Sequence, residues 1–181
     1  MKKFFRPYRD CNVFIETGSA AGDGIVAALN AGFPIVHSVE VSDYYYNICA
    51  ELFERNENVF LHHGQSTDKL HKILFKINEK CVFWLDAHWC GGATGGEGYG
   101  IPIMEELKII ANHRIKNHTI LIDDMRLVRA RNENEWAKFP HSIKDIVDFI
   151  MTINPNYVIS FEDTWDSAWF REEILIARCY D

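Results

Sequence analysis

The sequence predicts an α/β fold: a doubly wound sheet of seven strands, with helices on both faces and an antiparallel hairpin formed by its last two strands. Three observations predict it. Short apolar runs alternate with segments of helical period along most of the chain, which is the pattern of a parallel sheet with crossover helices. Four of those runs end at a carboxylate: Glu16, Glu40, Asp86 and the pair Asp123/Asp124. The last two runs are separated only by a loop, so they can pair antiparallel.

Residues 1–11 are a lead-in carrying the aromatic anchors Phe4, Phe5 and Tyr8. Strand one is Asn12–Glu16. A small-residue turn follows, and a helix over Asp23–Ala31 turns Ile25, Val26 and Leu29 inward. Gly32 stops it, with Pro34 just beyond. Strand two is Ile35–Glu40. Ser42 is placed to cap a helix that continues to about Arg55. Strand three is Val59–His62, followed by a helix over Ser66–Lys76 with Leu70, Ile73 and Leu74 inward. Strand four is Cys81–Asp86. The stretch Ala87–Gly100 then holds six of the chain's eleven glycines, a composition usual for a functional or mobile loop. A helix over Ile103–His113 leads to strand five, Thr119–Asp123. Met125–His141 is polar and reads as irregular. A helix over Ser142–Ile153 and strands at Tyr157–Phe161 and Glu173–Cys179 complete the chain, with Trp165 and Trp169 between the two strands.

The 181 residues suit one domain spanning 1–181, and 48% hydrophobic content is enough for a core without metal or disulfide staples. A formal charge of −7 argues against nucleic acid as a partner, because phosphate affinity is built from Lys and Arg. The five cysteines, Cys11, Cys49, Cys81, Cys90 and Cys179, show no CxxC spacing, so neither a zinc site nor a disulfide framework is expected. No run is apolar enough for a membrane span or signal peptide. The expectation is a soluble, cytoplasmic protein, with homodimerisation left open.

In doubly wound sheets ligands bind beyond the carboxyl ends of the strands. There, Gly18, Ser19 and Gly22 let a ligand lie against backbone at a helix N-terminus. Glu40 suits a vicinal diol, since each carboxylate oxygen can accept one hydroxyl. Asp86, Asp123 and Asp124 would repel one another unless a cation sits among them, and an all-oxygen set fits magnesium better than zinc. His88 lies two residues past Asp86, and an unperturbed imidazole, with a pKa of about 6.5, can accept a hydroxyl proton at neutral pH.

The order and spacing of these elements resemble the class I S-adenosylmethionine-dependent methyltransferases, with a Rossmann-like sheet, over about residues 11–181. I-E-T-G-S-A-A-G-D-G resembles their first motif, V-H-S-V-E-V-S the second, and L-H-H-G-Q-S the adenine-binding turn. The resemblance implies that Glu16, Thr17, Gly18, Ser19 and Gly22 form one wall of an S-adenosyl-L-methionine pocket, with Glu16 on the cofactor's amino group. It puts Glu40, with Val41 beside it, on the ribose and Gln65 and Ser66 at the adenine; Asp86 borders the same pocket. F-W-L-D-A-H-W with L-I-D-D-M is similar to the magnesium-dependent small-molecule and sugar O-methyltransferases. By that resemblance Asp86, Asp123 and Asp124 bind Mg2+ or another divalent cation.

The chain departs from the pattern in three places. Ala20 stands where the first motif has its middle glycine, Gln65 where an acid follows strand three, and His88, Trp89 and Cys90 where the catechol enzyme keeps a lysine. The implied reaction is methyl transfer to a hydroxyl of a small-molecule or glycan acceptor, with a deoxyhexose such as rhamnose favoured. His88 and Asp86 would be catalytic, and Gly91–Gly100 and Met125–His141 would close over the acceptor. Two alternatives stay open. One is an NAD-dependent oxidoreductase or epimerase, although the strict G-x-G-x-x-G spacing is missing; the other is a cofactor-binding protein without turnover.

Overall fold

The computed structural model describes residues 4–88, 100–129, 139–163 and 172–180. A 3₁₀ turn at Arg6–Tyr8 precedes β1 (Val13–Thr17), α1 (Asp23–Ala31), β2 (Ile35–Glu40), α2 (Asp43–Leu52), β3 (Val59–His63), α3 (Ser66–Lys76) and β4 (Cys81–Leu85). Then come α4 (Ile103–Asn112), β5 (Thr119–Ile122), α5 (Met125–Arg129), α6 (Ile143–Ile153), β6 (Val158–Glu162) and β7 (Ile174–Arg178). These strands form one sheet in the order β3-β2-β1-β4-β5-β7-β6. Pairing is parallel from β3 through β5. β7 runs antiparallel to both β5 and β6. The doubly wound sheet with an antiparallel end is therefore the architecture observed.

β1 and β4 lie at the centre and every residue in them is buried, which is why they read as unbroken apolar runs. Alternate side chains serve two cores. Val13, Ile15, Phe83 and Leu85 pack with α3, α4 and α6 through Leu70, Ile73, Leu107, Ile110 and Ile146. Phe14, Val82 and Trp84 face the other way, toward Ile25 and Ala28 of α1 and Cys49 of α2. The lead-in completes this second face: Phe5, fully buried, packs edge-on to Trp84 at 5.1 Å and lies 4.8 Å from Phe14. Among the described residues, no helix is long and apolar enough to cross a membrane, and Cys11, Cys49, Cys81 and Cys179 are free thiols.

Two elements differ from the sequence expectation. α2 ends at Leu52, short of Arg55: Phe53 turns its buried ring under Gly22, where an added Cβ would meet Phe53 at 2.8 Å. The segment Met125–His141, expected to be irregular, opens with α5. The Glu173 carbonyl accepts from the Met125 N–H at 2.9 Å and the Glu173 carboxylate from the Arg126 N–H at 3.2 Å. This cap comes from the start of the neighbouring strand β7, 47 residues beyond Arg126 in the chain, so no local pattern announces it. The glycine-rich stretch at 89–99, the rest of the second expected lid at 130–138, and Trp89, Cys90, Trp165 and Trp169 lie outside the described residues.

At the opposite end of the sheet two histidines join three elements. The Cys81 N–H donates to His118 Nδ1 at 3.0 Å. The His118 proton must then sit on Nε2, which donates to His113 Nδ1 at 2.8 Å, and His113 Nε2–H donates to the Ile77 carbonyl at 3.1 Å. Burial, the largest cause, and the neighbouring His113 push His118 down to about 3. Its folded pKa is below the unfolded value near 6.5, so its contribution to stability is full above that value and is lost as pH falls toward 3. Replacing His118 with Leu should cost about 2–3 kcal/mol at pH 7. The stability gap between wild type and variant in urea unfolding should narrow as pH drops from 6.5 to 4; a gap that stays constant would mean that the relay does not titrate this way.

Candidate functional site at the carboxyl ends of the strands

β1 is the point from which the strand order runs both ways, and the turn after it is built on close backbone approach. The Gly18 N–H donates to the Val39 carbonyl at 2.9 Å, and a Cβ at Gly18, whose φ is +86°, would lie 2.5 Å from the Asp86 carbonyl oxygen. Ala20, where the motif departs from glycine, also adopts positive φ, +42°. α1 then begins at Asp23, with Gly22 as its N-cap. Between this turn and the end of β4 lies a cleft of about 240 Å³, lined by Glu16, Gly18, Ser19, Ala20, Tyr45 and Asp86 among others. Its backbone-rich wall at a helix start suits a polar ligand carrying an anionic group.

Glu16 and Glu40 frame the cleft. Glu16 is 1% exposed. It accepts from the Ser38 hydroxyl, which also contacts Ser19 Oγ at 2.6 Å. Burial raises Glu16 to about 8; the Ser38 hydrogen bond opposes the shift, and Asp86 and Glu40 add to it. One Glu40 oxygen accepts from the Ala20 N–H at 2.9 Å and the other from the Ser42 N–H at 2.8 Å. Each carboxylate oxygen keeps a second lone pair, so Glu40 can hold the turn in place and still accept from a diol. Val41 follows directly. Gln65 occupies the N-cap position of α3 without a side-chain cap bond, and Ser66 opens that helix, buried.

The acids of β4 and β5 meet around His88. Its Nδ1 lies 3.4 Å from Asp86 Oδ1 and its Nε2 lies 2.9 Å from Asp124 Oδ2. One donor atom from each of Asp86, His88 and Asp124 falls within 4.8 Å of the others. Asp123 lines the same small notch, with Oδ1 accepting from the Asp124 N–H at 2.8 Å. Burial is the main force raising Asp86, and it lifts Asp123 to about 8 with help from Asp86 and Asp124. The Arg126 guanidinium contacts Asp124 and also lies 3.3 Å from Glu173. Carboxylates gathered here could hold a divalent cation, and such an ion would relieve the carboxylate repulsion that adds to burial in raising Asp86 and Asp123.

Several residues here escaped the sequence reading. Ser38 is hidden mid-strand and Glu173 acts from β7's approach. Arg126 does carry a signal, as the first cation after the acid pair. Glu106 carries another: a carboxyl on the inward face of α4, among Ile103, Leu107 and Ile110.

No protein-family signature and no curated protein sequence matches the chain. Solved structures do. An O-methyltransferase from Bacillus cereus in complex with SAH aligns at 16% identity and TM-score 0.69, over 99% of this chain and 80% of that one. TomG from Streptomyces achromogenes, an O-methyltransferase involved in tomaymycin synthesis and solved with SAM, gives 13% and 0.67 over 98% and 77%. An SAH-bound methyltransferase from Podospora anserina gives 16% and 0.61 over 98% and 75%. The fold of this chain is the fold of these S-adenosylmethionine-dependent methyltransferases.

The turn geometry makes opposite predictions for two small residues. Gly18→Ala should cost about 2–4 kcal/mol, since the methyl group meets backbone and the φ is strained. Ala20→Gly should gain about 0.5–1 kcal/mol by relieving a left-handed alanine. Chemical denaturation of the two variants checks both; an Ala20→Gly protein less stable than wild type would contradict the strain argument.

Proposed function

We propose that this protein transfers a methyl group from S-adenosylmethionine to a hydroxyl oxygen of a small acceptor. The observation that carries the reading is the meeting, at one end of the sheet, of the backbone-lined cleft bounded by Glu16 and Gly18 with the Asp86–His88–Asp124 cluster. A cofactor site and a proton-handling site share Asp86 as their common wall. The SAH- and SAM-bound solved structures of the same fold support the choice of cofactor.

S-adenosylmethionine would supply an electrophilic methyl group, so the chain's task is to align the acceptor oxygen and remove its proton. Glu40 orients the ribose diol, and Glu16 faces the methionine end. His88 takes the acceptor proton, while Asp86 and Asp124, one at each ring nitrogen, stabilise the imidazolium that results. Asp86 and Asp124, with Asp123 beside them, would hold a divalent cation such as Mg2+, which supplies Lewis acidity that eases ionisation of the hydroxyl. A sugar hydroxyl is the favoured acceptor, for instance on a deoxyhexose such as rhamnose in a glycan. The formal charge of −7 disfavours a nucleic-acid substrate.

Titration calorimetry with SAH and with NAD tests the cofactor directly: SAH should bind and NAD should not. Glu40→Ala should weaken SAH about 10- to 100-fold through loss of charge-assisted hydrogen bonds. Tight NAD binding with no SAH binding would remove the proposal. With an acceptor found by screening sugars and glycans, His88→Ala should slow turnover about 10²- to 10⁴-fold. EDTA should inhibit, and added Mg2+ should restore the rate; full activity in chelator would take the cation out of the scheme.

A further inference from the structure

Ser38 is a polar residue in an apolar place. It sits mid-strand in β2, fully buried, directly opposite Glu16 of β1 in the parallel register. Val36, two residues earlier on the same face, packs with Phe14 and Ile25, and an alanine in place of Ser38 would leave no hydroxyl to satisfy. That hydroxyl makes two contacts. It donates to Glu16 Oε2 and lies 2.6 Å from Ser19 Oγ. A serine has one proton to give. With that proton on the ionised Glu16, Ser19 must donate to Ser38, and the three side chains form a one-way chain from Ser19 through Ser38 to Glu16.

The other oxygen of Glu16 is seated as closely. Among the described residues nothing donates a hydrogen bond to Oε1. It lies against Gly24 in the first turn of α1, where an added Cβ would meet it at 1.7 Å. Glycine is a poor helix former, and Gly24 does not adopt the positive φ that would call for it; what its missing side chain provides is room for Oε1. Glu16, Ser19 and Gly24 all line the cleft of about 240 Å³. This part of the wall therefore offers acceptors, with its serine protons already committed inward. The ligand group that fits it is a primary ammonium, a compact cation with three N–H donors. Burial is the main force holding Glu16 back from ionising, and Asp86, Glu40 and Asp23 add to it; a cation at Oε1 opposes both causes.

We propose that Ser38 and Gly24 are positioning residues that make the pocket selective for a ligand bearing a primary ammonium group. Ser38 fixes Glu16 through Oε2, and Gly24 leaves Oε1 free to receive the cation. Both act through Glu16. The inference rests on the methyltransferase reading, in which that group is the α-amino group at the methionine end of S-adenosylmethionine.

The test is titration calorimetry with SAH and with its deaminated analogue, in which hydrogen replaces the α-amino group and all else is kept. Wild type should bind SAH about tenfold or more tightly than the analogue. In Ser38→Ala and in Gly24→Ala that preference should shrink about five- to tenfold, while affinity for the analogue changes by less than about twofold. Glu16→Gln should remove the preference, and Ser38→Ala should add nothing to that loss, since one acts through the other. Parallel weakening of SAH and the analogue would make Ser38 a structural residue of β2 and overturn the inference, as would an undiminished preference in either alanine variant. Should one alanine variant fail to fold, the other decides on the same ratio. A wild-type protein that binds SAH and the analogue equally would overturn the inference and leave the methyltransferase reading in place; one that binds no SAH would remove that reading, a distinct outcome.

Discussion

The site depends on how closely the carboxyl ends of β1 and β4 approach. At Gly18 a single methyl group would sit 2.5 Å from the Asp86 carbonyl oxygen, so the turn after β1 rests directly on the backbone leaving β4. This contact lies at the reversal of strand order, with β2 on one side of β1 and β4 on the other. There the connections diverge to opposite faces of the sheet and leave a crevice. The two fully buried strands hold the crevice rigid, and the lead-in aromatics lock Trp84 from behind.

Around that crevice the chain concentrates negative charge where burial makes it expensive. Glu16, Asp86, Glu106 and Asp123 are all raised, each mainly by loss of water. The compensation is local. Backbone N–H groups hold Glu40, serine hydroxyls serve Glu16, and His88 and Arg126 serve the β5 acids. Arg126 and Arg129 both reach Glu173, which is 3% exposed, so the segment that follows Asp123 and Asp124 is pinned to the start of β7. Acids held so tightly are poised to bind cationic or hydroxyl-bearing partners, because every favourable contact they make with a ligand also relieves a standing electrostatic cost.

Much of this was legible beforehand. The apolar period announced each strand, and the acids at strand ends marked the functional edge. Ser42 announced its helix by cap chemistry and accepts from the Tyr45 N–H; at Ser142, read only as the start of a helix, the structure adds a reciprocal box with Asp145. Ala20, flagged as a departure from glycine, sits at a positive φ, which explains why glycine suits that position. The end of α2 and the presence of α5 were not legible, because a ring packed under Gly22 and a cap supplied by Glu173 decide them from residues distant in the chain.

By itself, then, the sequence determined the layered α/β architecture, the edge that carries the candidate site and the acids that line it. Those follow from periodicity and from local backbone preferences, which act within a few residues. Only the tertiary structure decided which acids share a partner. His88 stands between Asp86 and Asp124, while Asp123 turns to a backbone N–H. Ser38 reaches Glu16 across a strand pair. The physical reason is distance in the chain: these groups come from different strands and helices, and their energies exist only once the sheet has brought them within hydrogen-bonding range and removed the water between them.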